Sequence, residues 1–256
     1  MKQLSTKYYE EFNNLIGREI PDLISKFDFT EENGGFEYLT KASAVFSSNI
    51  EGNSIDLNSF MNYEMNKDKF KSGKEIEEIE NLIVAYEFAQ QNPVSEQNLL
   101  HSHLILSETL LIKSKRGKYR TEPVGVFGKS GLAYLAIEPE KVSDAMDELF
   151  LDIQGLKQQK LEPTEVFYFA SYIHLRFAHI HPFRDGNGRA ARILEKWFLA
   201  EKLGEQFWKV PSEEYYKTNQ QNYYDRLNLG VNYYELDYSN CVNFLSMLPN
   251  SMKKGA

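Results

Sequence analysis

Two helix-forming stretches of the chain meet at a short turn that begins and ends with glycine. The first stretch, residues 162–180, is largely apolar from Val166 to Ile180, and the second, residues 188–203, opens with good helix formers. The turn reads Gly186-Asn187-Gly188, which leaves its backbone N–H groups uncovered. Because free N–H groups at a helix N-terminus bind anions, this junction predicts an anion site within a helical protein.

Charged residues around the turn extend this prediction to phosphate chemistry. Arg189 and Arg192 are three positions apart, so they share one face of the second helix. Asp185 precedes the glycines and would repel a bound anion unless a divalent cation lay between them. Mg²⁺ fits best, since it usually takes one or two carboxylates together with phosphate oxygens and water. His181, at the start of the segment, is a base at neutral pH.

The segment from His181 to Arg192 resembles the Fic family. It matches the signature H-x-F-x-[D/E]-G-N-G-R-x-x-R at every defined position. The resemblance implies a protein adenylyltransferase, which moves AMP from ATP to a Ser, Thr or Tyr hydroxyl of a target protein and releases pyrophosphate. The resemblance implies that His181 is the general base and that Asp185 is the Mg²⁺ ligand. It also implies that the phosphates are bound by Gly186, Asn187 and Gly188, and that the β- and γ-phosphates are held by Arg189 and Arg192.

An upstream segment resembles the inhibitory motif of one class within this family, [S/T]-x-x-x-E-[G/N]. Residues 36–50 have roughly helical apolar spacing, and Gly52 is suited to end that helix. Ser47 and Glu51 therefore share a face. The resemblance implies that Glu51 pairs with Arg192 and occupies the fork meant for the γ-phosphate, because a carboxylate competes well for a guanidinium. The alternative is an ordinary surface glutamate near a helix end.

Two further features gain meaning from the same resemblance. Two short β-prone runs flank the loop Gly128-Lys129-Ser130-Gly131 and predict a hairpin within residues 117–138. In the family such a flap accepts a segment of the target protein as an added strand; a purely structural hairpin is the alternative. Tyr223 and Tyr224 are candidates for the adenine side of the pocket, although aromatic residues at helical spacing usually belong to a core.

Other histidines and acidic residues favour plain structural interpretations. His174 and His179 lack nearby thiolates and an H-E-x-x-H spacing, which indicates buried histidines with satisfied hydrogen bonds rather than metal ligands. His101 and His103 lie within a helical stretch and look structural. The acidic run over residues 74–80 is most simply a solvated helix face with Ile76 and Ile79 turned inward.

Composition limits the class of protein. The chain has 256 residues, 42% of them hydrophobic, which suffices for one substantial core. Its net charge of −8 argues against a nucleic-acid surface. The single cysteine, Cys241, forms no internal disulfide, and there is neither a leader pattern nor a long apolar run, so we expect a cytoplasmic protein without a membrane span.

Periodicity and caps predict an all-α bundle with one small β-hairpin flap, which is the Fic-type fold. We expect an N-terminal helical extension over residues 1–35 and a Fic domain over residues 36–256. The domain would contain the inhibitory helix (36–52), the flap (117–138) and the catalytic loop and helix (181–203). The predicted helices cover residues 4–16, 36–51, 57–65, 73–91, 95–112, 139–156, 162–180, 188–203, 212–227 and 237–247.

Several functional readings remain open at this stage. The favoured one is an autoinhibited adenylyltransferase that uses ATP and Mg²⁺ and docks its target on the flap. The same pocket could instead remove AMP from a modified target or transfer another phosphate-containing group. A nucleotide-sensing module without turnover is weaker, since the base and the metal ligand are both present. Association with a second copy or self-modification could relieve the inhibition.

Overall fold

The computed structural model of the chain describes residues 1–30, 35–67, 72–128 and 131–253. Its helices, in chain order, are α1 (Tyr9–Leu15), α2 (Ile20–Lys26), α3 (Gly35–Ile50), α4 (Leu57–Met65), α5 (Lys74–Gln91), α6 (Glu96–Leu106), α7 (Pro139–Gln158), α8 (Pro163–Ile180), α9 (Asn187–Leu203), α10 (Ser212–Thr218), α11 (Gln220–Leu227), α12 (Val242–Leu245) and α13 (Met247–Asn250). Two strands, β1 (Gly125–Gly128) and β2 (Gly131–Leu135), form one antiparallel hairpin. The predicted all-α bundle with one hairpin is confirmed.

Helices α8 and α9 form the centre of the bundle. Nearly every residue of α8 is buried, including aromatic side chains on several sides, so this helix is enclosed rather than amphipathic. A capping box in which Glu162 and Glu165 exchange hydrogen bonds starts α8, with Pro163 in its first turn. Because α9 follows after a short loop and packs along α8, the loop between them is held at one end of the core.

The remaining helices surround this pair. α3 and α5 pack against each other and against α9, while α10 packs on α3. Helices α1 and α2 pack on α8, and their apolar residues join the same core as the rest of the chain. The boundary at residue 35 therefore stays a prediction, and residues 31–34 beside it lie outside the described residues. No helix in the described part of the chain combines the length and apolar character needed to cross a bilayer.

Two predicted helices are divided in the structure, and two are shorter, one of them the helix predicted over residues 4–16, which begins only at Tyr9 and ends at Leu15. The predicted helix 212–227 breaks into α10 and α11 at Asn219, and the predicted helix 237–247 becomes a 3₁₀ turn followed by α12 and α13. The predicted helix 95–112 ends at Leu106. The other long helices agree with their predicted ranges within about two residues, the usual uncertainty of helix ends.

The hairpin is fixed to the end of α8. Its strands pair Val126 with Tyr134, and a bulge follows on the β2 side. The Tyr134 hydroxyl donates to the backbone oxygen of His179 at 2.7 Å. Leu135 N–H donates to the Val231 oxygen at 2.9 Å, so another part of the chain already covers that end of the outer edge of β2. Lys129 and Ser130 of the predicted loop lie outside the described residues.

Candidate phosphate-binding active site

His181 ends α8 in an unusual backbone conformation. Its φ of 53° and ψ of 58° are left-handed, and it is the one described residue other than glycine with a positive φ. Histidine tolerates this region better than most residues. The ring Nδ1 lies 3.2 Å from the Ala178 oxygen, which accepts a hydrogen bond from it and so places the ring proton on Nδ1. Nε2 is then an unprotonated nitrogen that is free to accept a proton.

Arg120 holds this turn in place from the segment that leads into the hairpin. Its Nε donates to the His181 oxygen at 2.7 Å, and its backbone N–H donates to the Pro182 oxygen at 2.9 Å. Its Nη2 reaches the Ile137 oxygen at 2.5 Å. The last carbonyl groups of a helix lack partners within the helix, so Arg120 and Tyr134 together satisfy the C-terminus of α8. Arg120 thus connects the segment that leads into the hairpin to the turn at His181.

The pKa of His181 favours the neutral ring. Burial lowers this pKa to about 4; the hydrogen bond to Ala178 opposes the shift, and the positive charge of Arg120 adds to it. The carboxylates of Glu51 and Asp185 are close enough to act on the ring in the opposite direction. At neutral pH the imidazole is therefore uncharged, which is the state that a general base requires.

The loop after His181 is stapled by its own side chains. Asn187 accepts from the Phe183 N–H at 2.8 Å and donates to the Phe183 oxygen at 2.9 Å, so its amide closes the loop. Phe183 is fully buried and stacks on His103, with ring centroids 3.5 Å apart. His103 accepts from the Gly117 N–H through Nδ1 and donates from Nε2 to the Asp185 oxygen, at 3.0 and 2.9 Å. The sequence marked His103 only as structural; it is the main support of this loop.

Gly186 is required by this arrangement. Its φ is 81°, and a Cβ at this position would approach Leu106 Cδ1 to 2.9 Å and the His103 ring to 3.3 Å. Glycine alone combines the backbone conformation with the lack of a side chain. Because Gly186 is the N-cap of α9, the first N–H groups of that helix remain free of side-chain caps.

Asp185 is exposed beside this helix start. Its Oδ1 accepts the Gly186 N–H at 2.6 Å, and among the described residues its other carboxylate oxygen has no hydrogen-bond or ion-pair partner. No cluster of three or more potential metal-binding side chains exists within the described residues. One exposed carboxylate next to an anion site nevertheless fits Mg²⁺, which completes its octahedron with phosphate oxygens and water rather than with a full protein cage.

Arg192 and Glu51 are in direct contact. Arg192 is fully buried, and its Nη2 lies 2.7 Å from Glu51 Oε1. Its Nε donates to Ser47 Oγ at 2.8 Å, Nη2 also donates to the Ser47 oxygen at 3.0 Å, and Nη1 donates to the Tyr223 hydroxyl at 3.3 Å. Glu51 and Arg192 are more than half of the chain apart in sequence, and the fold brings their side chains into contact.

The contact is part of a longer seam between α3 and α9. Ser43 and Ser47 on α3 and Glu51 just beyond its end follow one another at four-residue spacing, and Arg192 and Lys196 have the same spacing on α9. Lys196 Nζ donates to Ser43 Oγ at 2.7 Å and pairs with the buried Glu213 at 2.7 Å. Glu51, the candidate inhibitory residue, is therefore the last in a row of polar contacts between α3 and α9, at the end that is exposed to solvent.

Glu51 lies directly over the start of α9. A Cβ added to Gly188 would collide with Glu51 Oε1 and come within 3.1 Å of Arg192 Nη1. Burial tends to raise the pKa of Glu51, but the charges of Arg192 and Arg189 and the Arg192 hydrogen bond lower it further than burial raises it. The carboxylate is thus ionised at neutral pH and occupies the kind of position that an anion takes at a helix N-terminus. A quarter of its side-chain area, 26%, remains exposed.

Arg189 has a partner that the sequence did not reveal. Its Nη1 lies 2.5 Å from Oε1 of Glu78 on α5, and the same oxygen accepts from Ser48 Oγ at 3.4 Å. Burial raises the pKa of Glu78, although the charge of Arg189 opposes the shift. Glu78 belongs to the acidic run that we expected to be a solvated face, and this expectation is wrong at Glu78, whose side chain is only 13% exposed.

The two tyrosines of α11 have different surroundings. Tyr223 is 1% exposed, and its hydroxyl connects Arg192 to His174 Nε2, so no ring face is left for a base in this conformation. The hydroxyl of Tyr224 donates to the Ile50 oxygen at 2.9 Å, while the residue is 40% exposed. Tyr224 is therefore the stronger candidate for the adenine side.

Two histidines near the site have the satisfied partners that the sequence favoured. His174 lies between Tyr223 and Glu195, with both distances at 2.9 Å. His179 accepts from Tyr238 at 2.7 Å and donates to the Leu227 oxygen at 2.8 Å. Both rings use both nitrogens in these contacts, so neither has a lone pair free for a metal.

Buried neutral histidines predict a loss of stability in mild acid. Burial lowers the pKa of His103 and of His181 to about 4 and that of His179 to about 3. Their unfolded value is roughly 6.5, so the unfolded chain binds more protons below that pH. The free energy of unfolding should therefore fall as the pH drops from about 6.5 toward 4, by up to about 1.4 kcal/mol per pH unit for each histidine.

Urea unfolding between pH 7.5 and 4.5 measures this slope. A His103→Gln variant, which lacks one titrating ring, should show a shallower dependence than the parent chain. A free energy of unfolding that stays constant over this range would contradict the neutral assignment of these rings.

Part of the chain matches a known family model. Residues 93–199 match the model of the Fic/DOC family, and this range includes His181, the loop and α9 up to Leu199. It does not include Ser47, Glu51 or Glu78, so the family match is silent on the contacts made by α3 and α5.

Solved structures with the same fold extend over almost the whole chain. A Fic family protein from Desulfovibrio desulfuricans G20 is 23% identical with a TM-score of 0.78, covering 97% of this chain and 74% of that one. A Fic domain containing signaling protein from Bacteroides thetaiotaomicron is 19% identical with a TM-score of 0.65, covering 96% and 94%. Fic-1 from C. elegans is 17% identical with a TM-score of 0.69, covering 96% and 71%. Residues 93–199 thus match a Fic/DOC family model, and the chain as a whole has the helical fold that these solved structures share.

Proposed function

We propose that this protein is an adenylyltransferase that transfers AMP from ATP to a hydroxyl group of a target protein. Members of its family transfer nucleotide groups to proteins. The observation that carries the proposal is the pairing of one free basic nitrogen, Nε2 of His181, with an anion site at the start of α9 that two arginines flank. A base beside a phosphate cradle supports attack by a hydroxyl on phosphorus.

The transfer reaction assigns one step to each group. The hydroxyl oxygen of the target attacks the α-phosphorus, His181 Nε2 takes the hydroxyl proton, and the bond from the α-phosphorus to the oxygen of the β-phosphate breaks. Pyrophosphate leaves while held by the N-terminus of α9 and by Arg189 and Arg192. Asp185 would hold Mg²⁺, which neutralises charge on the phosphate oxygens when it is bound.

The target protein would dock on the hairpin. N–H groups alternate sides along a strand, and those of Leu135 and Ala136 donate to Val231 and Val124 respectively. The main chain of Val126 therefore faces β2, and that of Gly125 faces away from it. Because Val231 covers the outer edge of β2 at Leu135, β1 offers the more open edge for an added strand.

Glu51 supplies autoinhibition in this proposal. Its carboxylate neutralises the guanidinium of Arg192 and lies where phosphate oxygens would approach α9. ATP must displace it to place the γ-phosphate on Arg192. The parent chain is accordingly expected to show low transfer activity, and the exposed quarter of the Glu51 side chain is the side from which nucleotide can compete.

A labelling experiment tests the reaction. The Glu51→Gly variant is incubated with Mg²⁺, a cell lysate and ATP labelled at either the α- or the γ-phosphate. Protein bands that gain label from the α position alone indicate transfer of AMP, whereas γ label alone indicates transfer of phosphate. A His181→Asn version of the same variant is the matched control. Absence of label from both positions would reject the proposed transfer.

A second experiment distinguishes transfer from removal. A recovered labelled target serves as substrate for the parent chain, and release of AMP without ATP would favour removal of the group.

A further inference from the structure

The two arginines at the start of α9 are in different states. Arg192 has its Nε, Nη1 and Nη2 engaged with Ser47, Glu51 and Tyr223, so it must give up a partner before it can bind a phosphate. Arg189 makes a single hydrogen bond within the described residues, from Nη1 to Glu78. Its buried Nε has no partner there, and no described acceptor contacts its Nη2. All three guanidinium nitrogens of Arg192 have hydrogen-bond partners. Arg189 is held in one orientation by Glu78 and still has N–H donors without a partner among the described residues.

The position of Arg189 explains why it needs an anionic partner. It lies in the first turn of α9, where the helix dipole disfavours a positive charge. Its side chain is 7% exposed, so water does little to stabilise the guanidinium. Without a carboxylate inside the fold, the side chain would turn outward to solvent and leave the site.

Glu78 is well placed to prevent this. It projects from α5, which packs against both α3 and α9, and Ser48 contacts the oxygen that receives Arg189. Ile79 and Leu82 of the same helix are fully buried, which fixes the rotation of α5 and hence the direction of Glu78. The carboxylate is therefore supported by packed elements, as expected of a group that sets the position of another.

We propose that Glu78 is a positioning residue, which holds the Arg189 guanidinium inside the site through Nη1 and leaves the Nη2 donors for a nucleotide phosphate. This inference rests on the proposed function and adds a second carboxylate with a role opposite to that of Glu51. Glu51 occupies the donors that a phosphate needs, whereas Glu78 leaves them free. Removal of Glu51 should therefore promote nucleotide binding, and removal of Glu78 should weaken it.

Calorimetric binding in the Glu51→Gly background separates the two roles. Glu78→Gln should weaken ATP binding about tenfold, within the range of couplings seen inside one hydrogen-bond network, and should leave adenosine binding unchanged. Glu78→Asp, which keeps the charge, should recover part of the loss. In an Arg189→Ala chain the Glu78→Gln change should have no further effect on ATP affinity. Glu77→Gln, at the exposed neighbour in α5, is the matched control.

Each outcome decides between the alternatives. Equal loss of ATP and adenosine affinity would indicate general damage to the fold and would overturn the positioning role, as would unchanged ATP affinity in a chain that still transfers AMP. A Glu78→Gln parent chain with raised transfer would show a second inhibitory carboxylate instead. If Glu51→Gly itself neither binds ATP nor transfers AMP, the proposed function fails, and the failure is recognised before Glu78 is altered.

Discussion

Replacement of His181 should abolish most of the transfer activity while nucleotide still binds. Loss of a general base typically lowers a rate by about 10²- to 10⁴-fold. His181→Ala removes the base, and His181→Asn does so with a residue that better tolerates the left-handed backbone at this position. Both variants are made in the Glu51→Gly chain, where the starting rate is high enough to measure such a fall.

Initial rates with labelled ATP and calorimetric ATP affinity are the two measurements. The exposed His101, whose ring packs at a tilt against Phe88 outside the site, gives a matched control through His101→Ala. That variant should keep the parent rate. Full activity in both His181 variants would assign the proton transfer to another group, whereas a parallel loss of ATP affinity would point to collapse of the loop that Arg120 and His103 support.

The second large effect concerns Glu51. Glu51→Gly should raise AMP transfer, including self-labelling, and tighten productive ATP binding by about 1–3 kcal/mol, the usual coupling between competing sites. The reason is that Arg192 loses the carboxylate that now occupies its Nη2. The double variant Glu51→Gly, Arg192→Ala should lose the gain, because the released guanidinium is then absent.

The same change should lower stability. Arg192 is fully buried, and a buried charge without its partner is costly. Higher transfer activity together with a lower melting temperature would therefore indicate that Glu51 regulates activity in addition to stabilising the fold. Glu51→Gln removes the charge with little change in shape, and Glu37→Gln on the exposed start of α3 is its control. Transfer at the parent level in Glu51→Gly, with His181 demonstrably required, would falsify the inhibitory role.

Much of this site was readable from the sequence because it is local. The loop from His181 to Arg192 is one short segment, so an anion site could be predicted from its residues and their spacing, whereas the role of each residue is what the family resemblance implies. The ranges of long periodic helices such as α8 and α9 were also predicted to within about two residues. The Glu51–Arg192 contact spans most of the chain and could be expected only from the family resemblance. Its geometry came from the fold.

The features that escaped prediction depend on tertiary contacts. The acidic run predicts a solvated Glu78, yet this residue lies on the same helical face as Leu82 and Ala85, which are fully buried. The position of Glu78 on this apolar face could have indicated that it is buried, because an acidic residue on a buried face needs a partner inside the protein. Periodicity alone gave no hint that the partner would be Arg189.

The predicted helix 212–227 shows the same limit. Its helical pattern is continuous, but the chain turns at Asn219, and Lys217, Gln220 and Tyr224 then reach carbonyl oxygens at the end of α3. These contacts cap the helix that carries Glu51. Such a break depends on tertiary contacts of the helix, and local helix propensity does not include them.

The attachment of α3 to the core limits how the proposed inhibition could be released. Ala44, Val45 and Ile50 are buried, and Ser43 is tied to Lys196, so withdrawing the whole helix would expose apolar side chains at roughly 1.5–3 kcal/mol for each large one and open the core. Glu51 lies one residue beyond the last helical turn and beside Gly52, whose φ is 99°. Rotation of this one side chain breaks a single ion pair and leaves the bundle intact. If Glu51 is inhibitory as proposed, rotation of its side chain would release the inhibition without any unfolding of the bundle, and binding of ATP could be sufficient to drive that rotation.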